Sequence, residues 1–179
     1  MLDANQLLGE AKKITGLSFL GNPLFEEGFN KLVYSINNEA DLNDIGIQAQ
    51  HHRLIGVLSN MLRIEDAVIN HPEILNEQIV APIVIVGLPR TGSTMTHRLL
   101  AADPRHTAML WWEGRYPAML ANEVRGNPSE RMALGKAEVD AVVAASPEAL
   151  TIHPWDYKGA DEEILLLEHT FFSTVPESF

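Results

Sequence analysis

The residues whose types and spacing most clearly suggest a chemical function lie in one short loop between Gly87 and Gly92. A β-branched apolar run at 83–86 precedes this loop, and apolar residues at helical spacing follow it from Met95 onward. A strand, a glycine-bounded loop and a helix N-terminus together bind phosphate, because backbone N–H groups and the positive end of the helix dipole point toward the anion. The sequence therefore predicts a phosphate-binding loop at 87–94.

The glycine spacing is that of a nucleotide triphosphatase loop, but one position differs. In that motif a lysine follows the second glycine and contacts the β- and γ-phosphates, whereas this chain has Ser93 there. Arg90 is the one cation in the loop sequence. We expect the loop to hold a single phosphate, which argues against ATP or GTP hydrolysis. A P-loop nucleotide kinase or NTPase-like protein is the alternative enzyme.

The loop Pro89-Arg90-Thr91-Gly92-Ser93-Thr94 resembles the phosphosulfate loop of the sulfotransferases that use 3′-phosphoadenosine 5′-phosphosulfate (PAPS). The pattern of that family is Pro-[Lys/Arg]-[Ser/Thr]-Gly-[Ser/Thr]-Thr, and its bacterial branch carries the arginine. The chain also resembles this branch in an ordered series of landmarks between the loop and the C-terminus: His97-Arg98-Leu99-Leu100-Ala101, Asp103-Pro104, Trp112-Glu113, Pro117, Ile152-His153-Pro154, Glu162, His169, Phe171 and Ser173.

The resemblance implies an α/β protein with a P-loop-like parallel sheet core and an N-terminal helical subdomain. It also implies transfer of a sulfuryl group from PAPS to a hydroxyl or amine of a small acceptor, by in-line displacement and without a required metal. PAPS is thus the expected co-substrate, and a small-molecule acceptor is the expected partner.

The same resemblance assigns cofactor binding to Pro89, Arg90, Thr91, Gly92, Ser93 and Thr94. Arg90 is also a catalytic candidate, because its planar, permanently charged guanidinium suits a bridge between the 5′-phosphate and the sulfuryl group. The alternative for Arg90 is a surface arginine in a turn. The alternative for Ser93 and Thr94 is capping of the following helix.

The acceptor hydroxyl needs a base, and no histidine motif identifies one among the seven histidines. His153 and Glu162 coincide with landmarks of the resembled branch, so both are catalytic candidates, and His169 ranks behind them. The alternatives are a loop histidine bonded to backbone for His153 and an acid in the first turn of a helix for Glu162.

Composition limits the class of protein. The chain has 179 residues, 46% of them hydrophobic, with no cysteine and a net charge of −11. An acidic chain argues against nucleic-acid and anionic-membrane partners, and the absence of cysteine excludes a thiol nucleophile. No apolar run approaches the roughly 18–20 residues of a membrane span and no signal peptide is visible, so we expect a cytoplasmic protein.

The arginines are concentrated near the loop. Residues 87–131 contain six arginines, no lysine and four acids. This cluster is consistent with a small anionic ligand, or with several solvated arginines on helix faces.

The predicted domains are a helical subdomain at 1–78 and the beginning of a P-loop core at 79–179. Asp41 or Asn43 could cap a long helix that ends at His71-Pro72, and a further helix should begin at Asn127-Pro128. Strands are expected at 83–86 and 107–111, and a last helix at 159–172.

Two strands do not complete a sheet, and no 3′-phosphate motif is visible after residue 105. We therefore expect the N-terminal part of a longer sulfotransferase, which self-associates or requires the missing part. A truncated, non-catalytic phosphate-binding chain is the non-enzyme alternative.

Overall fold

A computed structural model of the chain describes residues 1–21, 23–88 and 91–172. Two compact units form, one from residues 1–75 together with 166–172, and the other from residues 76–165. We call them the bundle unit and the loop unit. The described helices are α1 Ala4–Thr15, α2 Phe25–Asn38, α3 Asp44–Asn70, α4 Ser93–Ala101, α5 Trp111–Arg115, α6 Ser129–Ala145, α7 Ala149–Ile152 and α8 Ile164–Leu167, with 3₁₀ turns at Pro72–Asn76 and Glu168–Thr170.

The helix ends of the bundle unit follow local chemistry. The Asn43 side chain accepts a hydrogen bond from the Gly46 amide at 2.9 Å and caps α3, which confirms one of the two predicted caps. The same helix ends at Asn70, with His71 as its C-cap, because Pro72 disfavours helical backbone before it.

Apolar side chains of the three long helices form the core of the bundle unit. The largest fully buried members are Leu7, Leu54, Leu58 and Leu62. Residues 166–172 follow the loop unit in sequence and return to the bundle unit, and we call them the returning segment. The ring of Phe171, in this segment, lies 5.0 Å from that of Phe29. Burial of such side chains stabilises a fold by roughly 1.5–3 kcal/mol each, so apolar packing dominates this unit.

Buried polar contacts fix the returning segment 166–172 in the bundle unit. Arg53 Nε donates to Glu168 Oε1 at 2.6 Å, and both side chains are largely buried. Asn60 Nδ2 lies 3.0 Å from His169 Nε2, while His169 Nδ1 lies 3.2 Å from the Leu166 carbonyl. His169, the third candidate base, is therefore buried in the bundle unit.

In the loop unit, the segment 109–112 runs beside the segment 157–161. Trp111 N donates to the Gly159 carbonyl at 2.9 Å, and Asp161 N donates to the Met109 carbonyl at 3.0 Å. Helix α6 packs on α5 at Gly135, where a Cβ would lie 2.8 Å from the Trp112 Cβ. This frame positions the residues around Asp161.

The predicted strands are not formed within the described residues. Residues 83–86 have no regular secondary structure, and Val86 is 89% exposed. The predicted strand at 107–111 is reduced to one antiparallel bridge from Leu110 to Ala160, after which α5 begins. A strand requires a hydrogen-bonded neighbour along its length, and the described part of the chain offers none to residues 83–86.

Two other elements differ from the expectation in extent. Helix α6 begins at Ser129, one residue later than predicted, and the predicted helix at 159–172 contains only α8 and a 3₁₀ turn. The predicted domain boundary at residue 78 stays a prediction. No helix within the described residues has the length and apolarity needed to cross a bilayer.

Candidate functional site

The N-terminus of α4 is open to an anion. Gly92 precedes the helix with φ of 92°, a left-handed conformation that glycine adopts without strain. Among the described residues no side chain caps this helix, although the Thr96 amide donates to the Gly92 carbonyl at 3.0 Å. The first amides of α4, at Ser93 and Thr94, are thus available to an external acceptor.

The loop before α4 folds back on itself. Thr91 Oγ1 donates to the Leu88 carbonyl at 2.6 Å. A Cβ on Gly87 would lie 2.9 Å from Thr91 Oγ1, so the loop needs a glycine or a shifted Thr91 at that point. Pro89 and Arg90, two of the predicted cofactor-binding residues, lie outside the described residues.

An open groove of about 560 Å³ lies at this helix end. That volume is within the range of about 300–1,000 Å³ typical of small-molecule sites. The groove brings together three of the predicted loop residues and both neighbours of His153. Its lining residues are Gly92, Ser93, Thr94, Met95, Arg98, Ile152 and Pro154.

Arg98 joins α4 to the segment that contains His153. Its Nη2 donates to the Pro154 carbonyl at 2.6 Å, and a Cβ on Gly159 would lie 2.7 Å from the same nitrogen. Its Nε is buried without a hydrogen-bond partner among the described residues. From the sequence, Arg98 was a landmark of the resembled branch and one of the six arginines near the loop, without an individual role. Its position four residues after Thr94, on one helix face, was the available signal.

His153 faces a buried carboxylate. Its Nε2 lies 3.3 Å from Asp161 Oδ2, and the side chains are 28% and 8% exposed respectively. The Trp155 ring lies edge-on to the imidazole, with 5.3 Å between centroids. His153 therefore lies between a largely buried carboxylate and the edge of an aromatic ring.

Glu162, the other candidate base, has a different setting. Glu162 is exposed, and its backbone N–H donates a hydrogen bond to Asp161 Oδ1 at 2.8 Å. The structure therefore brings Asp161, rather than Glu162, to His153. The sequence alone did not single out Asp161 as a candidate, because nothing in an eight-residue spacing identifies a tertiary contact.

Most of the other arginines near the loop are occupied by acids. Arg115 pairs with Glu138 at 2.6 Å and Arg131 with Glu123 at 2.7 Å. The Arg105 guanidinium beside Asp103 lowers the pKa of that carboxyl to about 2. These pairs stabilise local structure, so the arginine cluster as a whole does not form one anion site.

Within the described residues, no group of three or more histidines and carboxylates is arranged to hold a metal ion. The described polar groups in or beside the groove are Arg98, the first amides of α4, and His153 with its contact to Asp161.

A comparison with known protein families identifies the family of this chain. Residues 82–179, more than half of the chain, match the family model described as the sulfotransferase family. No protein of curated function matches the sequence significantly.

Two solved structures have the same fold over almost all of this chain. Sulfotransferase STF9 from Mycobacterium avium matches with a TM-score of 0.81 and 25% identity, over 99% of this chain and 46% of that one. Sulfotransferase STF1 from Mycobacterium tuberculosis H37Rv matches with a TM-score of 0.74 and 26% identity, over 99% and 49% respectively. The chain thus spans about half the length of each.

Proposed function

Because the chain belongs to the sulfotransferase family, we propose that it transfers a sulfuryl group from PAPS to a hydroxyl or amine of a small acceptor. The observation that carries this proposal is the N-terminus of α4, which no described side chain caps and which borders the groove directly after Gly92. Ser93 stands where a triphosphatase has its lysine, so the loop suits one phosphate better than three.

The loop residues fit the 5′-phosphosulfate end of such a donor. Gly92 precedes the amides of Ser93 and Thr94, and no described residue lies within 4 Å of a Cβ at Gly92, which leaves an anion room among the described residues. Arg98 lines the same groove. We assign phosphate binding to residues 89–94 and charge stabilisation to Arg90, because a guanidinium can contact two neighbouring anionic groups at once.

The base in this proposal is His153. The donor supplies the sulfuryl group, the acceptor oxygen or nitrogen forms a bond to sulfur, and the bond from sulfur to the 5′-phosphate oxygen breaks. The proton of the acceptor passes to His153, and adenosine 3′,5′-bisphosphate leaves. Residues on both sides of His153 line the groove, which supports this assignment over the exposed Glu162.

We also propose that residues 83–86 form a strand of a parallel sheet when a neighbouring strand is supplied. The run is β-branched and apolar, and such segments are stable in water only when both faces are covered. The fold match to two sulfotransferases supports this assignment.

Titration calorimetry tests the ligand class. Adenosine 3′,5′-bisphosphate should bind more tightly than ATP with magnesium. Ser93→Lys should move the preference toward ATP, because it restores the triphosphatase lysine. Ser129→Lys is the matched control, since Ser129 is an exposed serine at the first position of α6. Tighter binding of ATP with magnesium by the unmodified chain would contradict the proposal.

A turnover assay separates the enzyme from the non-catalytic alternative. PAPS and 4-nitrophenol are incubated with the chain, and the release of adenosine 3′,5′-bisphosphate is measured. Release that depends on the phenol supports a sulfotransferase. Binding of the bisphosphate without release would favour a phosphate-binding chain that does no chemistry alone.

A further inference from the structure

We propose that Asp161 is the positioning residue for His153 and fixes the imidazole tautomer in which Nδ1 is free to accept a proton. Asp161 Oδ2 lies 3.3 Å from His153 Nε2. An ionised carboxylate only accepts hydrogen bonds, so the ring nitrogen that faces it carries the hydrogen. The statement that the acceptor substrate supplies the proton rests on the proposed function. The statement about the His153 tautomer does not.

The carboxylate of Asp161 is held in one orientation by contacts on its other side. Oδ1 accepts the Glu162 amide at 2.8 Å, and the Asp161 amide donates to the Met109 carbonyl at 3.0 Å. The preceding residue, Ala160, forms the antiparallel bridge to Leu110. A largely buried carboxylate with both oxygens engaged cannot rotate without losing a hydrogen bond.

The imidazole is also restricted. The Trp155 ring lies edge-on to His153, and Trp111 in turn lies edge-on to Trp155 with 6.4 Å between centroids. His153 Nδ1 has no hydrogen-bond partner among the described residues. The imidazole thus has Nε2 paired with Asp161 and Nδ1 without a described partner. A general base needs one nitrogen that can accept a proton.

Asp161→Asn gives a specific result because of this geometry. The asparagine keeps Oδ1 on the Glu162 amide, so its NH₂ group faces His153 Nε2 and can only donate. His153 must then accept at Nε2 and carry its hydrogen on Nδ1. The tautomer reverses, and the nitrogen that should take the acceptor proton is already protonated, as happens when the triad aspartate of a serine protease is changed to asparagine.

Nitrogen NMR of the histidine rings measures the tautomer in the 179-residue chain without any substrate. Spectra are recorded near pH 8, above the ordinary titration range of histidine, and His153→Gln identifies the signals of His153. We expect hydrogen on Nε2 in the unmodified chain and on Nδ1 in Asp161→Asn. Hydrogen on Nδ1 in the unmodified chain would overturn the proposal by itself, even if the variant failed to fold.

Kinetic measurements are the second arm of the test, after the NMR measurement of the tautomer. Asp161→Asn should lower kcat for sulfuryl transfer to 4-nitrophenol by about 10²-fold or more, the usual contribution of a general base. Its affinity for adenosine 3′,5′-bisphosphate should stay within a factor of about two, because the residue does not line the groove. Glu163→Gln removes the same charge from an exposed position nearby and should change neither kcat nor the tautomer.

The two arms separate the two proposals. A reversed tautomer in a protein that never transfers sulfuryl groups would support the positioning of His153 and contradict the proposed function. Normal kcat and an unchanged tautomer in Asp161→Asn would contradict the positioning role and leave the function standing.

Discussion

The two compact units are stabilised in different ways. The bundle unit buries leucines and phenylalanines of α1, α2 and α3 in one core. In the loop unit, polar contacts such as Arg131 with Glu123 and Arg98 with the Pro154 carbonyl accompany a smaller apolar cluster around the buried Trp111 and Trp112. The described members of the predicted cofactor-binding set, residues 91–94, belong to the loop unit. The chemistry is thus expected where packing is thinner and hydrogen bonds fix the geometry, as in many functional segments.

The largest expected effect on stability is in the bundle unit. Leu58 is fully buried in α3, so Leu58→Ala should lower the free energy of unfolding by about 2–5 kcal/mol. The matched change in the loop unit, Leu99→Ala, removes a leucine that is 74% exposed and should cost less than about 0.5 kcal/mol. Urea denaturation measures both. An equal loss in the free energy of unfolding for both variants would show that Leu99 of α4 is as deeply buried as Leu58 of α3.

The largest expected effect on activity is in the loop. Arg90→Ala should lower turnover of PAPS by about 10²–10³-fold, the usual loss for one charge-stabilising donor, with less than about 0.5 kcal/mol change in stability. Arg90→Lys should retain partial activity, because related loops use lysine there. Turnover and melting temperature are measured on the same preparations. Near-normal turnover of the alanine variant would reassign Arg90 as a structural turn residue.

Exposed apolar residues of the loop unit should cause self-association. The exposed members before the loop and at its start are Ile79, Val80, Ile83, Val84, Val86 and Leu88. Such surfaces associate in water, so light scattering at micromolar concentration should give a mass above that of one chain. Val84→Lys with Val86→Lys should reduce that mass, whereas Ile14→Lys, at an exposed position of α1, should not. A monomer with one sharp unfolding transition would contradict this expectation.

Two glycines in open space should respond with opposite signs. Gly92→Ala forces a side chain into a left-handed conformation and should destabilise by about 1–2 kcal/mol. Gly56→Ala lies within α3, where nothing is within 4 Å of the added Cβ, and should stabilise by up to about 1 kcal/mol. Thermal unfolding measures both. A neutral Gly92→Ala would mean that the loop adapts to an ordinary backbone conformation.

The smallest effect is a dependence of stability on alkaline pH. Burial, followed by the nearby Glu138 charge, raises the pKa of Tyr116 well above its ordinary value of 10.0. The unfolded chain loses that proton near pH 10 while the folded chain keeps it, so this contribution to stability is full below pH 10 and falls as pH rises above it. Tyr116→Phe should make the melting temperature less dependent on pH between pH 9 and 11. Identical pH dependence in both proteins would contradict the assignment.

The sequence predicted what depends on neighbours along the chain. The Asn43 cap, the helix end at His71-Pro72 and the glycine-bounded turn into α4 each need only a few consecutive residues. The strand at 83–86 was not formed among the described residues, because pairing depends on partners far away in sequence. Asp161 was missed for the same reason, since its backbone is placed by the pairing of residues 109–111 with residues 159–161, about 50 positions further along the chain.

The return of residues 166–172 to the bundle unit also has a consequence for synthesis of the protein on the ribosome. Glu168 contacts Arg53 across 115 residues of sequence, and His169 contacts Asn60 across 109. The three long helices emerge first, and the contacts with Glu168 and His169 form only after the whole loop unit has been translated. At about 5–20 residues per second, that interval is on the order of 5–20 s, during which the nascent bundle also lacks the Phe171 ring that packs against Phe29.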